Sequence, residues 1–231
     1  MKVSVVIPSI GRTEKLLRCI EQLYRVTDDF ECVVVVEDED QQTCNAMQEA
    51  KGKYSGLVVV NNARRRGCVY CWNLGAKHAS GDAFIPCADD VWFHEGWKEA
   101  ALKALEKLNW SGLVGLNNGT GRTHKYFDDF YLATRDYCVD YQGGVLCCPH
   151  YKYICTDKEA CLVAQRNNKY IYAEDAVLEH LHWRFGKSEM DETYQLKTRY
   201  GDSKNDEKIY SMREKARFPI DYTPWFGKGS A

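Results

Sequence analysis

The sequence predicts an α/β domain, a three-layer sandwich with a mostly parallel central sheet and helices on both faces. Three observations support this fold class. Short apolar runs rich in β-branched residues alternate with longer segments of helical periodicity through the first half of the chain. The segments between the runs are long enough for helical crossovers, which connect parallel strands. The runs end in glycine, proline, asparagine or acidic residues, which favour turns.

The first half of the chain contains four strand–helix units followed by a fifth strand. Residues 2–7 form the first β-branched run, and the next segment, 12–24, places Leu16, Ile20 and Leu23 on one helical face. The other predicted strands are 32–36, 57–60, 83–87 and 113–116, and the other predicted helices are 41–50, 69–79 and 94–108.

The second half of the chain is less regular. It contains predicted strands at 130–134, 169–172 and 177–183 and a predicted helix at 157–166. From residue 184 onward the sequence is polar, with acids and bases nearly balanced, which favours helical segments packed on the rim. We therefore predict a main domain over 1–194 and a C-terminal helical extension and tail over 195–231.

The composition restricts the classes of function that are expected. A chain of 231 residues with 45% hydrophobic residues can bury a sizeable core. The formal net charge of −2 gives no electrostatic reason to expect a nucleic-acid backbone or an anionic membrane as partner. No apolar stretch approaches the ~20 residues that a bilayer-spanning helix needs.

The eleven cysteines predict a reducing environment. Their number is odd, and most of them occupy positions that the periodicity assigns to the core, where a free thiol behaves as a small apolar residue. No secretory signal is expected, because residues 3–7 already form a core strand. A cytoplasmic location follows as a prediction. Cys68 and Cys71 have the spacing of half a zinc site, but no second pair completes it.

Asp89 and Asp90, directly after the predicted strand 83–87, are the most informative residues for function. Two adjacent carboxylates at the end of a buried strand repel each other unless a cation compensates them. Acidic or polar clusters also follow the first two strands, at 8–12 and 37–40, and parallel strand ends share one edge of a sheet. This predicts one crevice where a divalent cation binds a phosphate-bearing ligand. The alternative is that the pair caps the next helix.

These motifs resemble the family 2 glycosyltransferases, which have the GT-A fold. The opening Val-Val-Ile-Pro-Ser-Ile-Gly-Arg of residues 5–12 looks like the start of that family, and residues 35–38, Val-Val-Glu-Asp, are similar to the strand whose terminal acid contacts the nucleotide base. The stretch 66–90 is similar to the most recognisable block of the family, in which the acid pair is the DXD-type metal site. The resemblance is good over residues 3–97 and patchier to about residue 194.

The resemblance implies metal-dependent, inverting transfer of a sugar from a nucleoside-diphosphate sugar to an acceptor hydroxyl. Residues 1–97 would form the nucleotide-sugar half of the domain, and 98–194 the acceptor and catalytic half. The donor-binding residues that it implies are Pro8, Ser9, Arg12, Asp38, Arg66, Asn73 and Asp89.

Several of these roles have structural alternatives. Asp38 could instead cap a strand end, the basic residues 64–66 could form a solvated loop, and Asn73 could cap within its own helix. An aromatic platform for a sugar face is a further hypothesis for Trp92, Phe93 and Trp97, although core packing is the commoner use of such residues.

The resemblance places the catalytic base at Asp157. The Glu-Asp pair that usually carries the base is represented here by Thr156 and Asp157. Asp175 also follows a glutamate, but it lies in the predicted turn before the last strand, so it is the second choice. A further departure is Val91, which stands where the family usually has a third acid.

The expected metal ligands are Asp90 and His180, with Asp89 and His182 as additional candidates. His180 and His182 lie at strand spacing on one face, and in related enzymes a histidine of this region completes the metal shell. Either Mn²⁺ or Mg²⁺ is expected as cofactor, and an imidazole beside carboxylates suits Mn²⁺ better. The alternative for each histidine is a hydrogen-bonded polar core residue.

Two other classes of function compete with this hypothesis. A nucleotidyltransferase would need a glycine-rich loop and a lysine after the first strand, which residues 9–15 match poorly. An inactive sugar- or nucleotide-binding module would share the fold. The glycine motifs of dinucleotide and P-loop sites are missing from the sequence. The acceptor is left open among a glycan, a lipid-linked sugar, a protein, a small molecule and a modified nucleobase, as is the oligomeric state.

Overall fold

The computed structural model describes residues 1–120, 129–199 and 202–228, without the side chains of 196–199. The strands of these ranges are β1 (Val3–Ser9), β2 (Phe30–Glu37), β3 (Leu57–Asn62), β4 (Ala83–Pro86), β5 (Val91–Phe93), β6 (Leu113–Asn117), β7 (Phe130–Thr134) and β8 (Tyr170–His180). The helices are α1 (Thr13–Val26), α2 (Gln41–Lys53), α3 (Cys68–His78), α4 (Trp97–Glu106), α5 (Arg135–Tyr141), α6 (Thr156–Arg166), α7 (Glu192–Arg199) and α8 (Asp202–Lys215). A short 3-10 helix covers Trp183–Phe185.

The strands form one mixed sheet in the order β3-β2-β1-β4-β7-β6-β8-β5. The first four strands pair in parallel, as the alternation of strands and helices predicts. β7 then pairs antiparallel with β4 and with β6, and β8 lies parallel to β6. The predicted α/β sandwich is confirmed, and antiparallel pairs in the second half make the sheet mixed.

Each face of the sheet packs under its own layer of helices. In β1, Val3, Val5 and Ile7 belong to one buried cluster and Val6 belongs to the other. Because successive strand residues point to opposite faces, a continuous β-branched run supplies both clusters. The first cluster includes residues of α1, α2 and α4, and the second includes residues of α3, α5, α6 and α8.

The last strand differs from the prediction of two separate strands. β8 runs without interruption from Tyr170 to His180, and its pairing with β6 shifts register where Asn117 meets Val177. The exposed polar residues Glu174 and Asp175 lie in this irregular stretch. A bulge tolerates such residues without ending the strand, so a polar pair that looked like a turn does not form one.

The C-terminal segment packs on the second cluster. Tyr210 of α8 and Phe218 beyond it are buried there. The rings of Trp225 and Phe226 lie 5.1 Å and 5.2 Å from the rings of Tyr70 and Phe84, measured between centroids. The proposed domain division at residue 194 therefore separates segments that share a core. None of the helices that the structure describes is long and apolar enough to cross a membrane.

Candidate active site

A cavity of about 480 Å³ opens at the carboxyl ends of β1, β2 and β4. The starts of α3, β7, α6 and α7 and the end of β8 contribute to its other walls. Parallel strand ends are where ligands bind in α/β sheets, because the loops that follow them diverge there. The titratable residues that line the cavity are Arg12, Glu37, Arg65, Cys68, Cys71, Cys87, Asp89, Asp90, Asp129, Tyr131, Cys147, Tyr153, Cys155, Asp157, Lys158, His180, His182, Arg184 and Tyr194.

Asp89 and Asp90 lie in the turn between β4 and β5, and both are buried. Asp89 accepts hydrogen bonds from Ser9 Oγ at 2.7 Å and from Arg12 Nη1 at 2.9 Å. Neither aspartate caps α4, which begins at Trp97 after Gly96. The pair instead faces the cavity, as the hypothesis of a ligand site expects.

Asp90 is held by a different set of neighbours. Its Oδ2 accepts a hydrogen bond from the Tyr194 hydroxyl, and its Oδ1 lies 3.3 Å from His180 Nε2. The Arg12 guanidinium lies 3.7 Å from Asp90 and 4.1 Å from the centre of the Tyr194 ring. Asp191 at the start of the α7 region binds the other side of Arg12, at 2.8 Å. The first turn of α7, with Tyr194, thus closes one side of the cavity.

The two carboxylates differ in their electrostatics. Burial raises the pKa of Asp89 above its usual range although Arg12 opposes the shift. Burial acts in the same direction on Asp90, but His180, Tyr194 and Arg12 outweigh it and hold the pKa of that carboxyl below its usual range. Asp90 is therefore the more strongly ionised of the two, which suits a metal ligand.

His180 ends β8, and its imidazole lies between acids. Burial lowers the pKa of His180, but Asp129 and Asp90 outweigh burial and raise it to about 9. His182 follows two residues later, with its ring 5.0 Å from that of His180, and its Nδ1 accepts a hydrogen bond from the Arg184 main-chain N–H. Both histidines line the cavity.

Atoms without hydrogen-bond partners decide how these residues fit a divalent ion. No group of three or more His, Cys, Asp and Glu side chains within the described ranges is placed to hold an ion by itself. Asp90 Oδ1, however, is buried without a hydrogen-bond partner in the described structure, and His180 Nε2 faces it. One carboxylate oxygen and one imidazole nitrogen fit Mn²⁺ if substrate oxygens supply the remaining ligands.

Asp157 lies in the first turn of α6 and lines the same cavity. Burial and the nearby charge of Asp129 raise the pKa of Asp157 to about 7. A carboxylate with such a pKa accepts a proton from a substrate hydroxyl far better than an ordinary aspartate. Asp175, the second choice, is exposed in β8 and does not line the cavity.

Some of the residues expected to bind a donor line the cavity, and others lie outside it. Pro8, Ser9 and Arg12 line the cavity beside the acid pair. Asp38 lies outside the cavity lining and accepts a hydrogen bond from Asn61 Nδ2 at 2.8 Å. The residue before it, Glu37, is the one that lines the cavity.

Glu37 is a buried acid that the sequence did not single out. Burial raises the pKa of Glu37, although Asn62 and Cys71 donate hydrogen bonds to its two oxygens. Successive side chains of a strand point to opposite faces, so Glu37 and Asp38 cannot both point into the cavity. Glu37 is the one that does. The sequence does not show where β2 ends.

In the basic loop 64–66 as well, the arginine that lines the cavity is not the expected one. Arg66 lies outside the cavity lining, with its guanidinium 4.6 Å from the centre of the Tyr70 ring. Arg65 lines the cavity instead. The sequence predicted the basic loop but not which arginine faces inward.

Asn73 does not line the cavity but holds one of its walls. Its Oδ1 accepts hydrogen bonds from the main-chain N–H groups of Leu146 and Cys147, and its Nδ2 donates to the Cys147 carbonyl. Asn73 can reach this loop because α3 lies close to the sheet at Gly75, where a Cβ would be 2.3 Å from Val6. Its position agrees with the hypothesis that it orders a loop near the donor, because Cys147 lines the cavity.

Replacing Asn73 by alanine is expected to destabilise the protein by about 2 kcal/mol, because two buried N–H donors lose their acceptor. Chemical denaturation measures this loss of unfolding free energy. Asn61→Ala is the matched control, since within the described residues the exposed Asn61 amide donates to the half-exposed Asp38 and its loss should cost little. Equal stability of the two variants would show that Asn73 does not hold the wall.

The three aromatic residues considered as a sugar platform do not line the cavity. Phe93 and Trp97 are buried in the first cluster, where Trp97 Nε1 donates to Thr27 Oγ1 at 2.7 Å. Trp92 lies beside the guanidinium groups of Arg18 and Arg25 instead. The core-packing alternative is therefore correct for Phe93 and Trp97, and the platform hypothesis is wrong.

The sequence also missed residues that come from distant segments. Asp129 precedes β7, and Asp191 and Tyr194 come from the α7 region. No local pattern marks any of them, because their proximity to Asp90 and His180 arises only when β7 pairs with β4, β8 pairs with β5, and the segment after β8 reaches the turn after β4. Their roles could be read only from the folded chain.

Comparison with known proteins supports the family that the sequence motifs resemble. The family model described as "Glycosyl transferase family 2" matches residues 4–158. The glycosyltransferase YwdF of Bacillus subtilis is 27% identical over 143 residues, which are 59% of this chain and 52% of that protein. A dolichol-phosphate mannosyltransferase of Pyrococcus furiosus is 34% identical over 97 residues, covering 39% of this chain and 26% of that enzyme. The chain thus spans about half the length of these relatives, or less.

Solved structures of low sequence identity share the fold. Mannosyltransferase PcManGT from Pyrobaculum calidifontis, in complex with GDP-Man and Mn²⁺, has a TM-score of 0.65 at 17% identity, covering 77% of this chain and 56% of that one. S. aureus TarS in complex with UDP-GlcNAc has a TM-score of 0.62 at 16% identity, covering 84% and 63%. These structures share the GT-A fold. With the family model matching most of its length, the chain belongs to the family 2 glycosyltransferases.

Proposed function

We propose that this protein is a metal-dependent, inverting glycosyltransferase that moves a sugar from a nucleoside-diphosphate sugar to an acceptor hydroxyl. One observation carries the proposal: a single cavity brings together the acid pair after β4, His180 at the end of β8 and Asp157 at the start of α6. Structural neighbours that bind GDP-Man with Mn²⁺, UDP or UDP-GlcNAc support the donor class.

Asp90 and His180 are the proposed ligands of Mn²⁺ or Mg²⁺, with Asp89 and His182 as additional candidates. When bound, the ion would neutralise the charge that develops on the departing nucleoside diphosphate. Asp89 is engaged by Ser9 and Arg12, so we propose that it orients these two donor-binding residues. The Arg12 guanidinium is suited to hold phosphate oxygens beside the acid pair.

Asp157 is the proposed general base. It takes the proton of the acceptor hydroxyl while that oxygen forms a bond to the anomeric carbon. The bond from the same carbon to the diphosphate oxygen breaks on the opposite side, and its electron pair leaves with the diphosphate. Such a single displacement inverts the anomeric configuration. The cavity leaves Asp157 partly shielded from water, which keeps its pKa suitable for this step.

Glu37 is proposed to contact the nucleotide base, in the role first expected for Asp38. A buried carboxylate at the end of β2 is an acceptor for base N–H groups, and Pro8 and Arg65 line the same cavity. Arg66 and Asn73 are proposed to act indirectly, through the loop 64–67 and the loop at Cys147.

The proposal is tested by thermal shift with a panel of nucleoside diphosphates, with and without Mn²⁺. We expect one nucleotide to raise the melting temperature in an Mn²⁺-dependent way, because a ligand at 100 times its Kd stabilises the folded state by about 2.7 kcal/mol. Asp90→Asn should lose the Mn²⁺-dependent part of this shift. Asp140→Asn, which removes an exposed acid that pairs with Lys228, is the matched control and should behave as the wild type.

Other outcomes favour the competing classes. A response to nucleotides that does not depend on metal, without sugar transfer, would favour an inactive binding module. A response to nucleoside triphosphates with release of pyrophosphate would indicate a nucleotidyltransferase. If Asp90→Asn kept the full Mn²⁺-dependent shift, the assignment of Asp90 as a metal ligand would be wrong.

A further inference from the structure

The imidazole of His180 is placed between two carboxylates, one at each ring nitrogen. Its Nε2 lies 3.3 Å from Asp90 Oδ1, and its Nδ1 lies 3.7 Å from Asp129 Oδ2. Neither Asp90 Oδ1 nor His180 Nδ1 has a hydrogen-bond partner among the described residues, and both atoms are buried. The ring thus presents one nitrogen to the proposed ion and the other to Asp129.

Asp129 is held in this position by the same residue that holds the main chain of His180. Asn118 Nδ2 donates a hydrogen bond of 2.7 Å to Asp129 Oδ2. The Asn118 carbonyl accepts a hydrogen bond of 2.9 Å from the His180 N–H. Asn118 is buried, so the carboxylate and the histidine are fixed relative to a common, shielded point.

Ring packing restricts the imidazole further. The ring of Phe130, the residue after Asp129, lies 5.0 Å from that of His180, and the ring of His182 lies at the same distance. With rings beside it, the imidazole has little freedom to rotate. A displacement of under about 1 Å would bring Nδ1 and Asp129 within ordinary hydrogen-bond distance.

A histidine that binds a metal through one nitrogen usually donates the N–H of its other nitrogen to a carboxylate or carbonyl. That second bond selects the tautomer and orients the lone pair toward the ion. The alternative role for Asp129 is to accept the Asn118 bond and shape the loop before β7. A purely structural role would not require its carboxylate to face the unpartnered nitrogen of His180.

We propose that Asp129 is the positioning residue of His180, which it orients through Nδ1 so that Nε2 faces Asp90 and the ion. This inference rests on the proposed metal-dependent function. Asp129 itself touches neither ion nor sugar in this role. It acts on the affinity of the site for the metal, and through that affinity on the binding of the donor diphosphate.

The first test is the affinity of the full chain for Mn²⁺, measured by titration with detection of free Mn²⁺ by electron paramagnetic resonance, in the presence of the nucleoside diphosphate found by thermal shift. Asp129→Asn should weaken Mn²⁺ binding by about 10- to 100-fold, as the loss of such outer partners does. Glu179→Gln removes one negative charge directly beside His180, where Glu179 pairs with His94 and Lys187. This control should bind Mn²⁺ as the wild type does.

The second test needs no metal. Nitrogen-15 NMR of the imidazole side chains reports the protonation and hydrogen bonding of each ring nitrogen separately, and the His180 signals are assigned by their loss in His180→Gln. Asp129→Asn should shift the His180 signals, whereas Glu179→Gln should shift those of His94 only. A structural role alone would leave the His180 signals in place as long as the variant folds.

The outcomes separate this inference from the proposed function. If the wild type binds Mn²⁺ and Asp129→Asn binds it equally well, the inference is overturned and the proposed function stands. If the wild type binds no Mn²⁺, the metal assignment fails, and the NMR comparison alone decides the role of Asp129. Unchanged His180 signals in a folded Asp129→Asn protein would then overturn the inference too.

Discussion

Asp157→Asn should lower kcat/KM for sugar transfer by about 10³-fold, because a positioned general base contributes about 10² to 10⁴ in rate. The amide has the shape of the carboxylate but cannot accept the acceptor proton. The effect should appear in kcat, since Arg12 and Glu37, which are proposed to contact the donor, lie on other elements. Binding of the nucleoside diphosphate, followed by thermal shift, should therefore stay within about twofold of the wild type.

The pH dependence provides a second measurement on the same residue. Burial and Asp129 raise the pKa of Asp157 to about 7, so the carboxyl is protonated and inactive as a base below this pH. In the wild type, kcat/KM should rise as pH increases through about 7 and then level off. The residual activity of Asp157→Asn should lack this rise. Full activity in the variant would remove Asp157 as the base.

Arg213→Met should lower the free energy of unfolding by about 3–5 kcal/mol, the usual cost of removing one partner of a buried ion pair. Two of the guanidinium nitrogens donate to Glu159 at 2.9 Å each, and Nη2 also donates to the Pro219 carbonyl at 2.8 Å. Both partners of the pair are buried, so the variant leaves the Glu159 charge inside the protein without its counterion. Tyr151, which donates to Glu159 at 2.7 Å, compensates only part of that charge.

The loss is measured by denaturant unfolding at neutral pH, from the midpoint at an unchanged slope. Lys215→Met, an exposed position on the same helix, is the matched control and should change stability by under about 0.5 kcal/mol. A domain of this size has about 5–15 kcal/mol of stability in total, so the Arg213 variant should be close to unfolding in mild denaturant. A loss of under 1 kcal/mol in Arg213→Met would show that the C-terminal segment is not held through this pair.

The arrangement of the acid pair explains why Arg12 is buried without loss of charge. Its guanidinium contacts Asp89, Asp90 and Asp191, and the ring of Tyr194 covers it. Several acids around one cation repay the cost of removing it from water. The loop before α7 therefore contributes to the site by electrostatics as well as by shape.

The elements of the first half could be predicted from the sequence because each depends on its own residues. The β-branched runs of β1 to β4 and the periodicity of α1 are local patterns, and parallel pairing follows from the helices between the strands. β5 and α5 were not predicted. The three residues of β5 are too few for a periodicity, and β5 is a strand only because Val91 and Phe93 pair with β8.

The sequence by itself determined the α/β architecture and identified Asp89, Asp90, His180 and Asp157 as candidate site residues, because local propensity and family motifs depend on short stretches of the chain. Only the tertiary structure decided which neighbours these residues have. It replaced Asp38 by Glu37 and Arg66 by Arg65 in the cavity lining, and it brought Asp129 and Tyr194 to the site. The physical reason is that strand-end geometry and long loop returns depend on packing between distant segments, which no local pattern specifies.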